Sequence, residues 1–367
     1  MDKHKIMNPN NWLPKNRDPY LIAGPCSVES ENQMMTTAKQ ISEQNIASVL
    51  RGGVWKPRTK PGSFEGIGVP ALKWLKDAGN EFQLPVITEV ANAFQVEKCL
   101  EAGMDMLWIG ARTTVNPFYV QEIADALKGV DIPVFVKNPI HPEVGLWVGA
   151  LERLERAGIS KLAAIHRGFF AYKSQPFRNE PKWEISFELK RLAPEIPIIC
   201  DPSHIAGKRE LVQEICQSAL DLSLDGFMIE THCNPEKALS DANQQVNPNQ
   251  LKSIIDNLEY RNAFVEDRQL FAQLEDLRGQ IDILDEKLLT ILKDRISIVE
   301  DIGHVKELNQ VQIFQMRRWF KILENRQGSA EKLGLNKEVV HELFQLIHKY
   351  SIDVQIKSQQ ELKQKVK

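Results

Sequence analysis

The sequence predicts an α/β chain: a (β/α)8 TIM barrel followed by a smaller, all-α, three-helix domain. Three observations predict it. Short apolar, β-rich runs recur eight times before residue 245, helical stretches separate them, and beyond Asn257 the apolar spacing becomes purely helical. Near-continuous apolar strands alternating with helices mark parallel strands buried on both faces, and eight such units in ~250 residues have the length of a closed barrel. A doubly wound open sheet is the alternative, but no G-x-G-x-x-G follows any run.

In order, the strands are read at YLIAGPCS (20–27), SVLRGG (48–53), PVITEV (85–90), MLWIGA (106–111), PVFVKN (133–138), KLAAIHRG (161–168), PIICDPSH (197–204) and GFMIETH (226–232). Amphipathic segments such as ENQMMTTAKQISEQN and PEVGLWVGALERLERAG lie between them. From Leu270, apolar residues fall at 270, 274, 277, 281, 284, 288, 291, 298, 302 and 305, with 295 the skipped place. This 4-3 spacing marks one long helix packed along a narrow seam, ~50 Å long at 1.5 Å per residue. A second helix is read over about 311–327, ending before GSAEKLGL. A third follows the cap Asn336, with Val340, Leu343, Ile347, Tyr350 and Val354 on one stripe, and KSQQELKQKVK is its solvated end. The expected division is a barrel domain over 1–258, a linker over 259–271 and a helical domain over 272–367. A first helix of that length predicts a second chain to complete the core, hence a homodimer.

With 367 residues, a net charge of −3 and 26% charged residues, the chain is balanced enough to argue against nucleic acid or a membrane surface as partner. The opening MDKHKIMNPNNWLPKNRDP has no apolar centre, and no run approaches the ~18 apolar residues of a membrane span. The five cysteines form no C-x-x-C pair and no even framework, as expected in a reducing cytoplasm.

Against that balance, VLRGGVWKPRTKPGSF (49–64) gathers Arg51, Lys56, Arg58 and Lys60 on a stretch that its prolines and glycines keep out of a helix. Active sites of (β/α)8 barrels form at the C-terminal ends of the strands. All eight strands end in or just before a charged or metal-binding side chain: Cys26, Arg51, Glu89, Arg112, Lys137, Arg167, His204 and Glu230. Cys26, His204 and Glu230 end strands that become neighbours on closure, and Asp241 in the loop after the eighth strand reaches the same corner. Thiolate, imidazole and carboxylates together suit a divalent transition metal of the Mn, Fe, Co or Zn class; His232 and Cys233 are rival ligands nearby. Arg51, Lys56, Arg58, Arg112, Lys137 and Arg167 form a cationic crown, whose forks match phosphate and carboxylate groups. They are too many for one phosphate, so two anionic substrates are expected.

GPCS, RGG-x-x-KPRT-x-P-x-SF-x-G, ITEV, GAR, DPSH-x-x-G and ALSD, in that order from about 20 to 248, resemble the metal-dependent 3-deoxy-D-arabino-heptulosonate 7-phosphate (DAHP) synthases. The resemblance implies phosphoenolpyruvate contacts at Arg51, Lys56, Glu89, Ala111, Arg112, Lys137 and Arg167, and erythrose 4-phosphate contacts at Arg58 and Thr59. It implies metal ligands at Cys26, His204, Glu230 and Asp241, with Lys56 and Lys137 as catalytic cations. One departure is IHRG at 165–168, where many relatives have Glu before the Arg.

In the helical half, the skipped place is Arg295, and Lys306 stands eleven residues on, within ~20° of the same face. A buried arginine needs an anionic counterpart, either a substrate or a carboxylate of a facing helix. LRGQIDILDEKLL, followed by R, G-x-x-K, RW and SIDVQ across about 272–358, resembles the all-helical chorismate mutases, in which two intertwined chains share each pocket. The resemblance implies chorismate contacts at Arg278, Arg295, Lys306, Arg318, Ser351 and Gln355, with Arg278 crossing to the partner's pocket and Arg295 and Lys306 catalytic. Gln315 stands where a carboxylate is common, and Trp319 where relatives place a Glu that grips the substrate hydroxyl. The expected protein is a bifunctional DAHP synthase–chorismate mutase under feedback by prephenate or chorismate. The rival readings are an aldolase working through a Schiff base at Lys137, and a helical half that serves only dimerisation and ligand sensing.

Overall fold

The computed structural model describes residues 12–13, 19–56, 62–172, 176–261, 265 and 267–365. The chain divides into two compact units, Met1–Ala263 and Phe264–Lys367.

The first unit is the predicted barrel. Its strands β1 (Tyr20–Gly24), β2 (Val49–Arg51), β3 (Val86–Val90), β4 (Met106–Ile109), β5 (Val134–Lys137), β6 (Leu162–His166), β7 (Ile198–Cys200) and β8 (Gly226–Glu230) are all parallel, and β8 pairs with β1 to close the ring. Around them lie α1 (Glu31–Gln44), α2 (Val69–Glu81), α3 (Ala93–Glu101), α4 (Ala111–Thr114), α5 (Pro117–Ala126), α6 (Val144–Arg156), α7 (Trp183–Leu192), α8 (Pro202–Ala206), α9 (Val212–Asp221) and α10 (Pro248–Asp256). Local chemistry sets several starts: Ser30 accepts from the Gln33 amide to cap α1, and Asn247 and Gln250 cap α10 reciprocally.

Side chains alternate along each strand. Leu21, Ala23, Val134 and Val136 face the helices, whereas Ile22, Val49, Ile87, Trp108, Phe135, Ala163, Ile165, Ile199 and Met228 fill the barrel. Leu13 joins this inner core, and Trp12 meets Phe135 edge-on at 5.5 Å. One pleat beyond the inner apolar layer the same alternation delivers Arg51, Glu89, Lys137, Arg167, Asp201 and Glu230 to the interior at the C-terminal rim. Strands β1 and β4 have glycine at that level. A Cβ at Gly24 would overlap the Arg51 carbonyl, and one at Gly110 would overlap the Glu89 carboxylate.

The second unit has three helices, α11 (Arg268–Leu308), α12 (Met316–Lys332) and α13 (Lys337–Lys365). Asp267 caps α11, and Asn336 accepts from the amides of Glu338 and Val339 at the start of α13. The second helix departs from the reading of 311–327. It starts later, because Gln310 turns left-handed (φ 53°) and Lys306 Nζ donates to the Ile313 carbonyl, holding that stretch as a loop. It runs on through Gly328, whose ~1 kcal/mol helix penalty does not break a helix packed along α13. The contact face also differs from the seam. Arg295, Val299 and Gly303 face α13 in the same chain, whereas Leu277, Ile281, Leu284, Leu288, Ile291, Ile298 and Val305 stay exposed. Among the described residues no helix is long and apolar enough to cross a membrane.

Candidate active site

At the mouth of the barrel, Cys26 Sγ lies 3.4 Å from Asp241 Oδ2, and the potential ligand atoms of Cys26, Glu230 and Asp241 all fall within 4.8 Å of one another. His204 stands beside them, its Nε2 3.9 Å from Glu230 Oε1. Its Nδ1 is held by the Asp201 carboxylate at 2.8–2.9 Å, so the ring presents Nε2 to the cluster. A carboxylate behind a histidine in this way fixes its tautomer and is the usual support of a metal-binding imidazole. The rival ligands point elsewhere. His232 Nδ1 accepts from the Asn234 amide and its Nε2 faces Glu29, while the Cys233 backbone and thiol are directed at Thr37 and Gln33 of α1.

Arg51 is 1% exposed and donates through one Nη to Glu230 at 3.2 Å, its guanidinium 5.0 Å from the Trp108 ring centroid. Its Nε and Nη1 have no hydrogen-bond partner among the described residues. Lys137 Nζ donates to Asp201 Oδ2 at 2.7 Å and lies 5.7 Å from the same Trp108 ring. Glu89 accepts from Trp108 Nε1 at 3.0 Å. Arg167 is fixed at both ends: its amide donates to Asn138 and its Nη1 to Asn179. Arg178 donates to Asp241 and Gln244, and Gln244 in turn donates to Glu230. Ala111 opens α4, with Arg112 exposed beside it at the rim. Arg58 and Thr59 lie outside the described residues.

The electrostatics follow from crowding opposite charges in a dry place. Burial pushes the Cys26 thiol up to about 12, reinforced by Glu230. Burial would also raise Glu230 and Asp241, yet both are lowered from their ordinary values, because His204 with Arg51 outweighs it at Glu230 and His204 with Arg178 at Asp241. Asp201 is held well below its ordinary value by His204 and Lys137 against its own burial. Lys56 is raised, despite burial, by the fields of Cys26, Glu230 and Glu89. The mouth thus joins a thiol, imidazole and carboxylate corner to a lining of fixed cations.

Asp201, Gln244, Arg178, Asn138 and Asn179 were missed by the sequence reading. A signal existed for Asp201. The inward alternation Ile199, Asp201 makes it the rim residue of β7, and His204 follows on the short helix that Asp201 caps.

In the helical unit, Arg295 Nη1 donates to Ser351 Oγ at 2.7 Å, and Gln355 is buried one turn beyond on α13. Lys306 and Gln315 line an open groove of about 620 Å³ with Ile298, Ile302 and Val311. Arg295, Ser351 and Gln355 come together, and the Arg295 partner is a hydroxyl, not a carboxylate. Arg278 is exposed and paired with Glu275 at 2.6 Å, ~25 Å from Arg295 along α11. Arg318 is exposed on α12, while its neighbour Trp319 turns inward to stack on His348.

Residues 9–263 match the DAHP synthetase I family, and residues 277–356 match chorismate mutase type II. A phospho-2-dehydro-3-deoxyheptonate aldolase of Thermotoga maritima is 33% identical over 239 residues, covering 65% of this chain and 68% of the relative. A 2-dehydro-3-deoxyphosphooctonate aldolase of Bordetella petrii is 29% identical over 274 residues, 68% of this chain and 94% of its own. Among solved structures, a DAHP synthase crystal structure from Thermotoga maritima superposes with a TM-score of 0.59 at 31% identity, covering 66% of this chain and 68% of that one. A truncated 3-deoxy-D-arabino-heptulosonate 7-phosphate synthase from the same organism gives 0.56 at 27% identity, covering 72% and 89%.

Proposed function

The chain belongs to the DAHP synthetase I family through residues 9–263 and carries a chorismate mutase type II domain at 277–356, and we propose how its residues divide the work. The barrel condenses phosphoenolpyruvate with erythrose 4-phosphate and water to give DAHP and phosphate. The helical domain converts chorismate to prephenate.

The observation that carries the barrel assignment is Arg51: a guanidinium buried to 1% exposure, paired with Glu230 through one nitrogen and with two others unpartnered among the described residues, suits a further anion. Arg51, Lys56 and Arg167 hold the phosphate and carboxylate of phosphoenolpyruvate, with Arg112 and Ala111 at the rim, and Glu89 fixes the orientation of the floor through Trp108. Arg58 and Thr59 take the phosphate of the aldehyde. Charge-assisted contacts at both ends hold the two reacting carbons in register and offset the repulsion between two anions. Lys137, an ammonium shared with Asp201, holds the proton that a departing phosphate requires.

The donor set fits a divalent transition metal of the Mn, Fe, Co or Zn class: a thiol, two carboxylates and a histidine whose tautomer is fixed from behind. Cys26, His204, Glu230 and Asp241 would hold it. Bound there, it supplies the Lewis acidity that polarises the aldehyde oxygen. The test is phosphoenolpyruvate consumption with erythrose 4-phosphate, with and without EDTA. Full activity in metal-free protein would overturn the metal assignment, and no consumption at all would overturn the synthase.

In the helical domain, Arg295, Lys306 and Arg318 meet the two carboxylates and the ether oxygen of chorismate, Ser351 and Gln355 complete the site, and Arg278 comes from a second copy of the chain. The rearrangement needs a compact conformer and a cation at the breaking bond, with no covalent help. The exposed apolar side of α11 supports a homodimer. Prephenate bound in the helical site inhibits the barrel reaction. Titrating prephenate against synthase activity in the intact chain and in an Arg295→Ala chain tests this, and an equal response in both would sink it.

A further inference from the structure

His348 lies on α13, three residues before Ser351 and seven before Gln355, so the three share one stripe of the helix. Its ring stacks on Trp319 with centroids 4.0 Å apart and planes 8° from parallel, and Phe314 leans on it at 5.9 Å. Its Nε2 is buried and has no hydrogen-bond partner among the described residues. The Oε1 of Gln355, on the same stripe, is buried and unpartnered too. Two orphaned polar atoms flank a serine that is already joined to Arg295, and a dry polar atom left unpaired costs stability, so the stripe calls for a polar partner.

The chemistry separates the partners. Arg295 and Lys306 are cations near the His348 ring and suit carboxylates and an ether oxygen. Burial and those two cations lower the imidazole from its ordinary value, which favours the neutral ring, and a neutral ring that can donate or accept suits a hydroxyl. Trp319 stands at the place where a glutamate grips that hydroxyl in the mutases this sequence resembles, and indole offers only its N–H as donor. Instead its flat face fixes the neighbouring imidazole.

We propose that His348 is a substrate-contacting residue of the helical site, its Nε2 hydrogen-bonding the secondary hydroxyl of chorismate while Trp319 holds the ring in place. The proposal rests on the mutase reading of this domain. It gives Trp319 a role beside a ring that offers what indole lacks, a hydrogen-bond acceptor.

The test uses the full chain, with its synthase activity as the internal check on folding. His348→Leu lowers mutase kcat/KM ~10–100-fold, while His348→Gln, which keeps a donor and an acceptor, recovers most of it. A chorismate analogue lacking the hydroxyl, used as a competitive inhibitor, binds the wild type and His348→Leu equally. Unchanged turnover in His348→Leu overturns the inference and leaves the mutase reading standing. Equal losses in the Leu and Gln variants, or a parallel loss of affinity for the analogue, reduce His348 to a packing role and also overturn it. Wild-type protein that neither binds nor converts chorismate overturns the mutase reading itself.

Discussion

Arg51 and Glu230 form an ion pair at 3.2 Å in which neither side chain is more than 1% exposed. They come from β2 and β8, on either side of β1, and the glycine of β1 at that level lets the Arg51 carbonyl approach. Around the pair, Glu230 also accepts from Gln244, while Arg51 Nε and Nη1 have no hydrogen-bond partner among the described residues.

Arg51→Met therefore has two effects. It removes a charge-assisted contact worth ~1.5–3 kcal/mol, lowering kcat/KM for phosphoenolpyruvate ~10–100-fold. It also strands a buried carboxylate, a loss of ~3–5 kcal/mol in stability. Steady-state kinetics and urea unfolding read the two separately. Normal kinetics in a folded variant would remove Arg51 from the substrate site.

Asp201 joins Lys137 to His204, so Asp201→Asn weakens both at once. Support of this kind is worth ~10–100-fold in metal affinity, measured by competition with a chromophoric chelator. An unchanged metal affinity would mean that His204 is not a ligand.

These two residues show how far the sequence carries the reading. Arg51 was legible because it ends an apolar run and sits in a basic stretch, and period-2 alternation then fixes its side to the barrel interior. Asp201 was less legible, because its carboxylate acts through Lys137 of β5 and His204 of α8, partners far apart or turned by hydrogen bonds that the run DPSH does not display. Choosing between His232 and His204 needed the direction of each ring, which depends on hydrogen bonds to Asn234 and Asp201 that no spacing encodes. In the helical half the long helix was legible from its 4-3 spacing. Which of its faces meets α13 was not, because Gly303 packs by lacking a side chain and so leaves no apolar mark.

His166 ends β6 facing outward, between Trp147, Phe169 and Trp183, with Ser186 Oγ 3.0 Å from its Nδ1. Burial, then the neighbouring Arg167, lowers it from 6.5 to about 3. Below pH 6.5 the unfolded chain takes up a proton that the folded chain refuses, so stability falls as pH falls, down to about pH 3. Between pH 7.5 and 5 the loss from this one group is about 2 kcal/mol. Urea unfolding of the barrel at the two pH values should show that difference shrinking by this amount in His166→Gln. An identical pH dependence in the variant would mean that the folded barrel accommodates the charged ring.

The last prediction concerns two arginines of one helix. Arg278 and Arg295 are seventeen residues apart on α11, ~25 Å along its axis, and no side chain bridges that distance. If both serve one chorismate, Arg278 must come from a second copy, and the exposed row Leu277, Ile281, Leu284, Leu288 and Ile291 between them is the surface on which that copy lies. Arg278→Ala and Arg295→Ala chains should each lack mutase activity. Mixed, unfolded and refolded together, they form hybrids in which one pocket combines the intact Arg295 of the first chain with the intact Arg278 of the other. Random pairing makes half the dimers hybrid with one good pocket of two, so about a quarter of wild-type activity returns. Leu284→Asp with Leu288→Asp, which places charges on the shared face, should halve the mass in light scattering and abolish mutase turnover while each chain keeps its barrel. If mixing restores nothing although light scattering shows dimers, the two arginines do not share a pocket, and Arg278 is a surface residue paired with Glu275.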